Sequence, residues 1–178
     1  KNIYMPVVNK ALVKSVMAQC KELGKKFYFF SIDPKERTEN YNPLASGGVS
    51  TKVDRIMTAL KLDKEGAAGF FSGEQRTAFT AVLKGLIETG KNVNFKTVFG
   101  LLKDSAFLDS LGVDEKDVKG LVSAIGNIAE FPMINEDGID LQQIMDEGSV
   151  VYFNLRPQIS SQVAQAIGRM LMVDFKFW

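Results

Sequence analysis

The hydrophobic and polar positions of the chain follow two different periods. Two short runs are almost wholly apolar and rich in aromatic and β-branched residues: Phe27-Tyr28-Phe29-Phe30-Ser31-Ile32 and Val150-Val151-Tyr152-Phe153-Asn154-Leu155. Each run is too short for a helix, which is typical of a buried strand. Elsewhere apolar residues recur every three or four positions, as on one face of a helix.

Residue types that favour helix ends predict where these helices begin and end. Pro6 lies in the expected first turn of the first helix, and Gly24 follows its end. Later helices are expected to begin at Thr51, at Ser72 in an S-x-x-Q capping box, at Asn94, Asp114, Asp140, and Ser160 or Ser161. The pattern predicts a mostly α fold with a partial α/β part, in which Phe29 and Tyr152 lie in one parallel sheet.

The composition narrows the classes of chemistry. The chain has 178 residues, 46% hydrophobic and 24% charged, which is ordinary for a globular protein. No window approaches 18 consecutive apolar residues and no leader pattern is present, so we expect no membrane span here. One cysteine and no histidine leave zinc chemistry and Ser-His-Asp catalysis without their usual residues.

The formal net charge of +1 hides an uneven distribution. Basic residues that could contact DNA or a substrate are Lys10 and Lys14 near the front, and Lys91, Lys96 and Lys103 further on. Residues 104–147 carry eleven acids against two lysines, which disfavours contact with phosphates. The first acids of one predicted helix are candidates for a protein-partner face: Asp114, Glu115 and Asp117. Ordinary solvated helix faces would also explain both groups.

Nucleotide-binding motifs are absent from the sequence. No G-x-x-x-x-G-K-[ST] run is present, and Gly24 and Gly90 are better explained as residues that end helices. The second strand ends in Asn154, where a magnesium-binding strand needs an acid. Asp174 continues a helical period, so we expect it on a helix surface without a metal.

Other candidates for chemistry have simpler explanations. The carboxylates Glu36 and Glu39 lie in a polar loop, where solvation is expected. Tyr41, Phe70 and Phe71 could stack on single-stranded bases, but core packing is favoured.

Two stretches resemble conjugative type IV secretion coupling proteins of the TraD/TraG kind. The first is Tyr41-Asn42-Pro43-Leu44, followed by Val53-Asp54-Arg55-Ile56-Met57. The second is Gly148-Ser149-Val150-Val151-Tyr152-Phe153-Asn154-Leu155, followed by Ala166-Ile167-Gly168-Arg169-Met170-Leu171-Met172-Val173-Asp174-Phe175-Lys176.

The resemblance implies a helical domain inserted between strands of a RecA-like parallel sheet. Residues 1–48 and 148–178 would be pieces of the RecA-like nucleotide-binding domain, and residues 49–147 the all-α domain. The parent would be an inner-membrane-anchored bacterial ATPase with this region in the cytoplasm, a homo-hexamer using ATP and magnesium. Its partners would be a relaxosome or secreted proteins, channel components and possibly single-stranded DNA. Walker A would lie upstream of Lys1 and Walker B beyond Trp178, so no catalytic, cofactor-binding or metal residue is assigned in this chain.

Two other interpretations stay open. One is a self-contained α/β enzyme whose pocket lies at the strand ends near Asp33 or Asn154, where open parallel sheets bind ligands. The other is a structural adaptor for protein interactions that makes no contact with DNA.

Overall fold

The computed structural model describes residues 10–63 and 67–176 of the chain. Its helices and strands are, in chain order, α1 (Lys10–Glu22), β1 (Phe27–Ser31), α2 (Val49–Ala59), α3 (Ala67–Glu88), α4 (Phe95–Leu101), α5 (Ser105–Ser110), α6 (Glu115–Ala129), α7 (Leu141–Asp146), β2 (Val150–Asn154) and α8 (Ser161–Lys176). A 3-10 turn, Pro132–Ile134, lies between α6 and α7. The order of helices and strands agrees with the sequence prediction, and each strand is one residue shorter than predicted.

The two strands pair in parallel, although the chain between them is long. Phe29 is the register partner of Tyr152, and their rings stack with centroids 6.1 Å apart. The prediction that these two residues share a sheet is therefore confirmed. The described residues form a mostly helical protein with this small sheet, and they show neither a larger RecA-like sheet nor a helical domain inserted into one.

The two faces of the sheet differ in burial because side chains alternate along a strand. Phe30 is fully buried, and the partly buried Tyr28 and Phe153 pack against the core on the same side, which Phe29 and Tyr152 do not. Phe29 and Tyr152, on the other side, are only half-buried. The sheet therefore presents an aromatic face that the core leaves partly exposed.

The outer edges of the sheet also differ. At the edge of β1, the amide of Glu39 donates to the Phe29 carbonyl at 2.8 Å. In β2, Val150 and Asn154 bond toward β1, so the backbone groups of Val151 and Phe153 point away from it. Within the described residues, this outer edge of β2 is unpaired.

Three helices, α3, α4 and α6, pack together and are called the bundle below. The bundle shares one continuous apolar core with α2, α8 and one face of the sheet, and α2 lies between α3 and α8. Its fully buried side chains include Phe79, Leu83, Phe95, Leu121 and Ile125. These residues follow the helical spacing of the sequence, and their burial supplies the main favourable free energy of the bundle.

Several predicted helix ends are confirmed. The Asn94 side chain accepts from the Thr97 amide at 2.8 Å, and the Asp140 side chain accepts from the amides of Gln142 and Gln143. Gly24 follows α1 with a φ of 64°, in the left-handed region where glycine is favoured.

Two predicted helix starts are wrong. Ser72 lies inside α3, which begins at Ala67, and its hydroxyl donates to the Leu62 carbonyl at 2.7 Å. Since the helix has already begun at Ala67, the S-x-x-Q run does not mark its start. Thr51 lies in the first turn of α2, which begins after Gly48 without a side-chain cap. Pro6 lies outside the described residues.

Three large apolar residues at the predicted helical spacing are exposed instead. Leu12, Ile87 and Phe175 have exposures of 46%, 43% and 47%. The preceding residues Leu86 and Asp174 are buried, so the helix turns the side chains of Ile87 and Phe175 away from the core.

Candidate functional site

A buried cluster of three polar side chains joins the loop after β1 to two helices. Tyr41 lies in the loop, Arg55 on α2 and Asp174 on α8, and their exposures are 3%, 4% and 7%. The Tyr41 hydroxyl donates to Oδ2 of Asp174 at 2.9 Å, and the Arg55 guanidinium donates to and pairs with Oδ1. A buried charge needs such partners, so the three side chains depend on one another.

The burial of Asp174 corrects the prediction that it lies on a helix surface. Asp174 follows Met170 by four positions and Leu171 by three, and both of these residues are buried. Positions three and four apart share one helix face, so the spacing places the carboxylate inside. That spacing was the signal in the sequence for this residue.

The Tyr41 hydroxyl keeps its proton at neutral pH. Burial raises the pKa of the Tyr41 hydroxyl well above its usual range, and the Asp174 charge adds to this effect. Burial also raises the pKa of the Asp174 carboxyl, against the Arg55 charge and the Tyr41 hydrogen bond. Tyr41 therefore remains a hydrogen-bond donor, and the arrangement suits holding three segments together.

Arg55 also fixes the turn that follows Tyr41. Its Nη1 donates to the Pro43 carbonyl and, at 3.2 Å, to the Ser46 carbonyl. The next buried cation on α2, Lys52, donates to the Gly47 carbonyl, and burial lowers the pKa of its amine. Two positive side chains of α2 thus bind the carbonyl groups of one turn. The sequence did not reveal these contacts of Lys52 and Arg55, because both residues lie beside apolar positions of a helix that is buried on several sides.

Asn42 connects the same turn to two distant segments. Its Nδ2 donates to the Val93 carbonyl and to Oδ1 of Asp137, both at 2.9 Å. Its Oδ1 accepts from the Leu44 amide at 3.0 Å, which closes a local turn. Asn42 therefore satisfies three separate backbone or side-chain groups.

The two connections between the sheet and the helices run side by side. The Tyr41 amide donates to the Met133 carbonyl, and the Ile139 amide donates to the Asn40 carbonyl, each at 2.8 Å. Gly138 lies so close that a Cβ there would be 2.5 Å from the Asn40 oxygen. Glycine is required at this approach because any other side chain would collide with the backbone.

A cleft of about 560 Å³ opens beside the buried cluster. One wall is the turn containing Pro43 and Ala45, and the other contains Ile139, Asp140 and Leu141. Its volume lies within the range of ordinary ligand sites, about 300–1,000 Å³.

A second polar cluster occupies the carboxyl ends of the two strands. Glu36 Oε2 accepts from the Ser31 hydroxyl at 2.6 Å and from the Asn154 amide at 2.8 Å. Arg156 pairs with both Asp33 and Glu36. Ser31, Asp33 and Asn154 are buried, so the cluster closes this end of the sheet. The structure thus brings together the two positions, Asp33 and Asn154, that the sequence singled out for a strand-end pocket.

The expectation that Glu36 and Glu39 are both solvated is half wrong. Glu36 is partly buried by its bonds within the strand-end cluster, and Glu39 is exposed. The difference arises because Arg156, far along the chain, supplies a charge partner to Glu36.

The basic candidates lie on separate elements. Lys14 is exposed on α1, and Lys10 begins that helix, although its side chain lies outside the described part. Lys91 follows α3, and Lys96 lies on α4, both exposed. Lys103 follows α4 with its amine 5.0 Å from the centre of the Phe99 ring.

The acidic candidates lie at the start of α6. Asp114 and Glu115 are exposed, and Asp117 is half-buried. Asp114 pairs with Lys116 at 2.8 Å. Glu115 and Lys103 line the same shallow surface pocket, so the predicted basic and acidic sets meet there.

Stacking on nucleic-acid bases is excluded for Tyr41, because its ring is 3% exposed and packs near Phe30 and Phe153. The core packing favoured from the sequence is confirmed for this residue. The side chains of Phe70 and Phe71 lie outside the described residues. Across the described part of the chain, no group of three acidic or cysteine side chains is placed to hold a metal ion.

No protein-family model, curated protein or solved structure matches this chain. Within residues 10–63 and 67–176, none of the helices combines the length and apolarity needed to cross a membrane.

Proposed function

We propose that this chain is the DNA- or substrate-engaging region of a conjugative type IV secretion coupling protein. Such a region links DNA or protein substrates to the secretion channel within an ATP-driven translocase. The observation that carries the proposal is the buried cluster, in which the two resembling stretches meet. Tyr41 and Arg55 come from the first stretch, and Asp174 comes from the second, more than one hundred residues away.

The sheet adds support. An isolated two-stranded sheet is marginal in water, and a parallel sheet is normally covered on both faces. The edge of β2, which no described residue pairs, and the half-exposed Phe29 and Tyr152 are suited to further strands and helices. We assign residues 1–48 and 148–178 to a RecA-like domain of the parent, and residues 49–147 to an all-α domain set into it.

The proposal gives ATP and magnesium to the parent protein and assigns no residue of this chain to either. Hexameric assembly, membrane anchoring and contact with channel components likewise belong to the parent. Within this chain, the proposed task is contact with the cargo.

Reading the gene on both sides of this stretch tests the proposal directly. We expect an encoded phosphate-binding loop upstream of Lys1 and an acid-terminated apolar strand beyond Trp178. An uninterrupted upstream reading frame without that loop would remove the basis for the proposal.

Binding of single-stranded DNA distinguishes a DNA contact from a protein contact. We expect the affinity to fall with salt if phosphates are bound, and to fall further when Lys96 and Lys103 are both changed to glutamate. A variant in which the exposed Lys35 and Lys61 are both changed to glutamate serves as the control. A salt-independent response would favour the protein adaptor instead.

The strand-end cluster supports a second candidate, a small α/β enzyme or ligand-binding protein. Its two carboxylates and Arg156 lie at the edge where parallel sheets usually bind ligands. Thermal unfolding of the chain with a panel of phosphorylated and carboxylated metabolites tests this. A shift that disappears in Arg156→Gln would favour the enzyme, and no shift with any compound would count against it.

A further inference from the structure

We propose that the cleft beside the buried cluster binds a short, extended, basic segment of a protein partner. The proposal goes beyond the function proposed above and uses none of the resemblance. It depends on the shape of the cleft and on the charges of the described residues around it.

The lining of the cleft combines apolar and hydrogen-bonding groups. Pro43, Ile139 and Leu141 line the cleft with apolar groups although each is largely buried, and Ala45 adds exposed apolar surface. Gln142 offers an amide oxygen, since its Nε2 donates to Asp146. A volume of about 560 Å³ accommodates a few side chains and a stretch of backbone. It is too small for two turns of a helix about 10–12 Å in diameter, which favours an extended segment.

The charge of the lining is negative. Asp174 is neutralised by Arg55, which leaves the exposed carboxylates of Asp137 and Asp140. Oδ1 of Asp137 accepts a hydrogen bond from the Asn42 side chain. Oδ1 of Asp140 accepts from the backbone amides of Gln142 and Gln143. The second oxygen of each carboxylate is thus placed to accept from a ligand.

The segment that forms this wall of the cleft is acidic along its sequence. The sequence has no lysine or arginine between Lys119 and Arg156, whereas residues 130–147 contain six acids. Among the described residues, Glu147 is the member of that group with an ion-pair partner, Lys26. Such a surface repels phosphates and attracts lysine or arginine side chains, so a basic peptide is favoured over a nucleic acid.

The test measures binding of a fluorescein-labelled peptide by anisotropy at low and moderate salt. The peptide carries three arginines alternating with serine and alanine, and a second peptide has neutral citrulline at those three positions. We expect the arginine peptide to bind and the citrulline peptide to bind at least about tenfold more weakly, because the positive charges that attract Asp137 and Asp140 are lost.

Matched variants locate the binding. Asp137→Asn with Asp140→Asn removes two charges while keeping the oxygens that bond to Asn42 and to α7. Asp104→Asn with Asp109→Asn removes the same charge at exposed positions that do not line the cleft. We expect the first pair to weaken binding about three- to tenfold and the second pair by less than about twofold.

A steric variant provides an independent check. Ala45 is exposed and lines the cleft, so Ala45→Arg adds both bulk and positive charge there. We expect it to abolish peptide binding, with thermal unfolding confirming that the protein is folded.

Three outcomes would overturn the proposal: equal binding of the two peptides, equal weakening by both pairs of acid variants, or undiminished binding to the Ala45→Arg protein. Displacement of the peptide by a single-stranded oligonucleotide from the unaltered protein, but not from the Asp137/Asp140 variant, would assign the cleft to nucleic acid and also overturn it. None of these results bears on a phosphate-binding loop upstream, so the two proposals can fail separately.

Discussion

The bundle and the sheet are built from the same kinds of apolar residue but complete their packing differently. In the bundle, Phe79, Leu83 and Leu121 are fully buried by neighbouring helices. In the sheet, Phe29 and Tyr152 are half-buried, and the outer edge of β2 is unpaired among the described residues. The bundle thus buries its apolar side chains within this chain, whereas the sheet does so on one face.

Two clusters of polar contacts lie near the sheet. The strand-end cluster and the Tyr41, Arg55 and Asp174 cluster both join segments distant in sequence. Polar contacts of this kind depend on every partner being present, because a buried group left unpaired costs free energy. Stability should therefore respond to apolar truncation in the bundle and to loss of single polar partners near the sheet.

The largest expected effect is truncation of a bundle phenylalanine. Phe79→Ala should lower the free energy of unfolding by about 4 kcal/mol, because it leaves a cavity in a fully buried site. Phe29→Ala removes the same atoms from the half-exposed sheet face and should cost about 1 kcal/mol. Urea unfolding of both variants makes the comparison, and equal losses would show that the sheet face is as well packed as the bundle.

Loss of Asp174 should cost about 3 kcal/mol, because Asp174→Ala leaves the Arg55 guanidinium buried without its charge partner. Asp109→Ala, at an exposed position of α5, should change stability by at most about 0.5 kcal/mol. The double variant Arg55→Met with Asp174→Leu should be more stable than Asp174→Ala alone. If the double variant is the less stable of the two, the buried charge is not the cause of the loss.

Asn42→Ala should lower the free energy of unfolding by about 1–3 kcal/mol, since the Val93 carbonyl and the Leu44 amide lose a bonding partner. Asn127→Ala is the control, because Asn127 is exposed and its side-chain amide donates one hydrogen bond, to Gln162. Hydrogen exchange should show the loss concentrated at Leu44 and around Val93. Uniform exchange changes would argue against a local role for Asn42.

The smallest effect is a pH dependence. The folded-state pKa of Tyr41 is raised above the ordinary value of 10.0, so the unfolded chain releases this proton first as the solution becomes alkaline. The resulting stability is fully present below about pH 10 and declines above it. Chemical unfolding between pH 9 and 11 should show a steeper decline for the unaltered protein than for Tyr41→Phe, and parallel profiles would contradict this assignment.

The sequence was sufficient for features that depend on neighbouring residues. Helical spacing located the buried faces of α3 and α6, and local capping located the start of α4 at Asn94. The aromatic runs located both strands and their pairing, because few other arrangements bury two such runs. These features follow from short-range geometry and from burial of apolar surface.

Features that depend on a distant partner were missed. Asp174 and Glu36 are acidic residues of the kind usually found on the surface. Arg55 pairs with Asp174 and Arg156 pairs with Glu36, and these ion pairs make their burial possible. Ser72 matched a capping motif, but its hydroxyl bonds to the loop before its helix. A single sequence reports which residues can ionise or donate, and the three-dimensional fold determines which partners they meet.

The contact of Gly138 with the Asn40 carbonyl has a consequence for how this protein tolerates change. The chain leaves β1 and returns toward β2 past this contact, so a change in loop length near it would have to preserve the paired backbones of Asn40 and Ile139. An insertion there would need to keep a glycine in close contact with the Asn40 carbonyl oxygen, and to keep Asn42 two residues further along the chain.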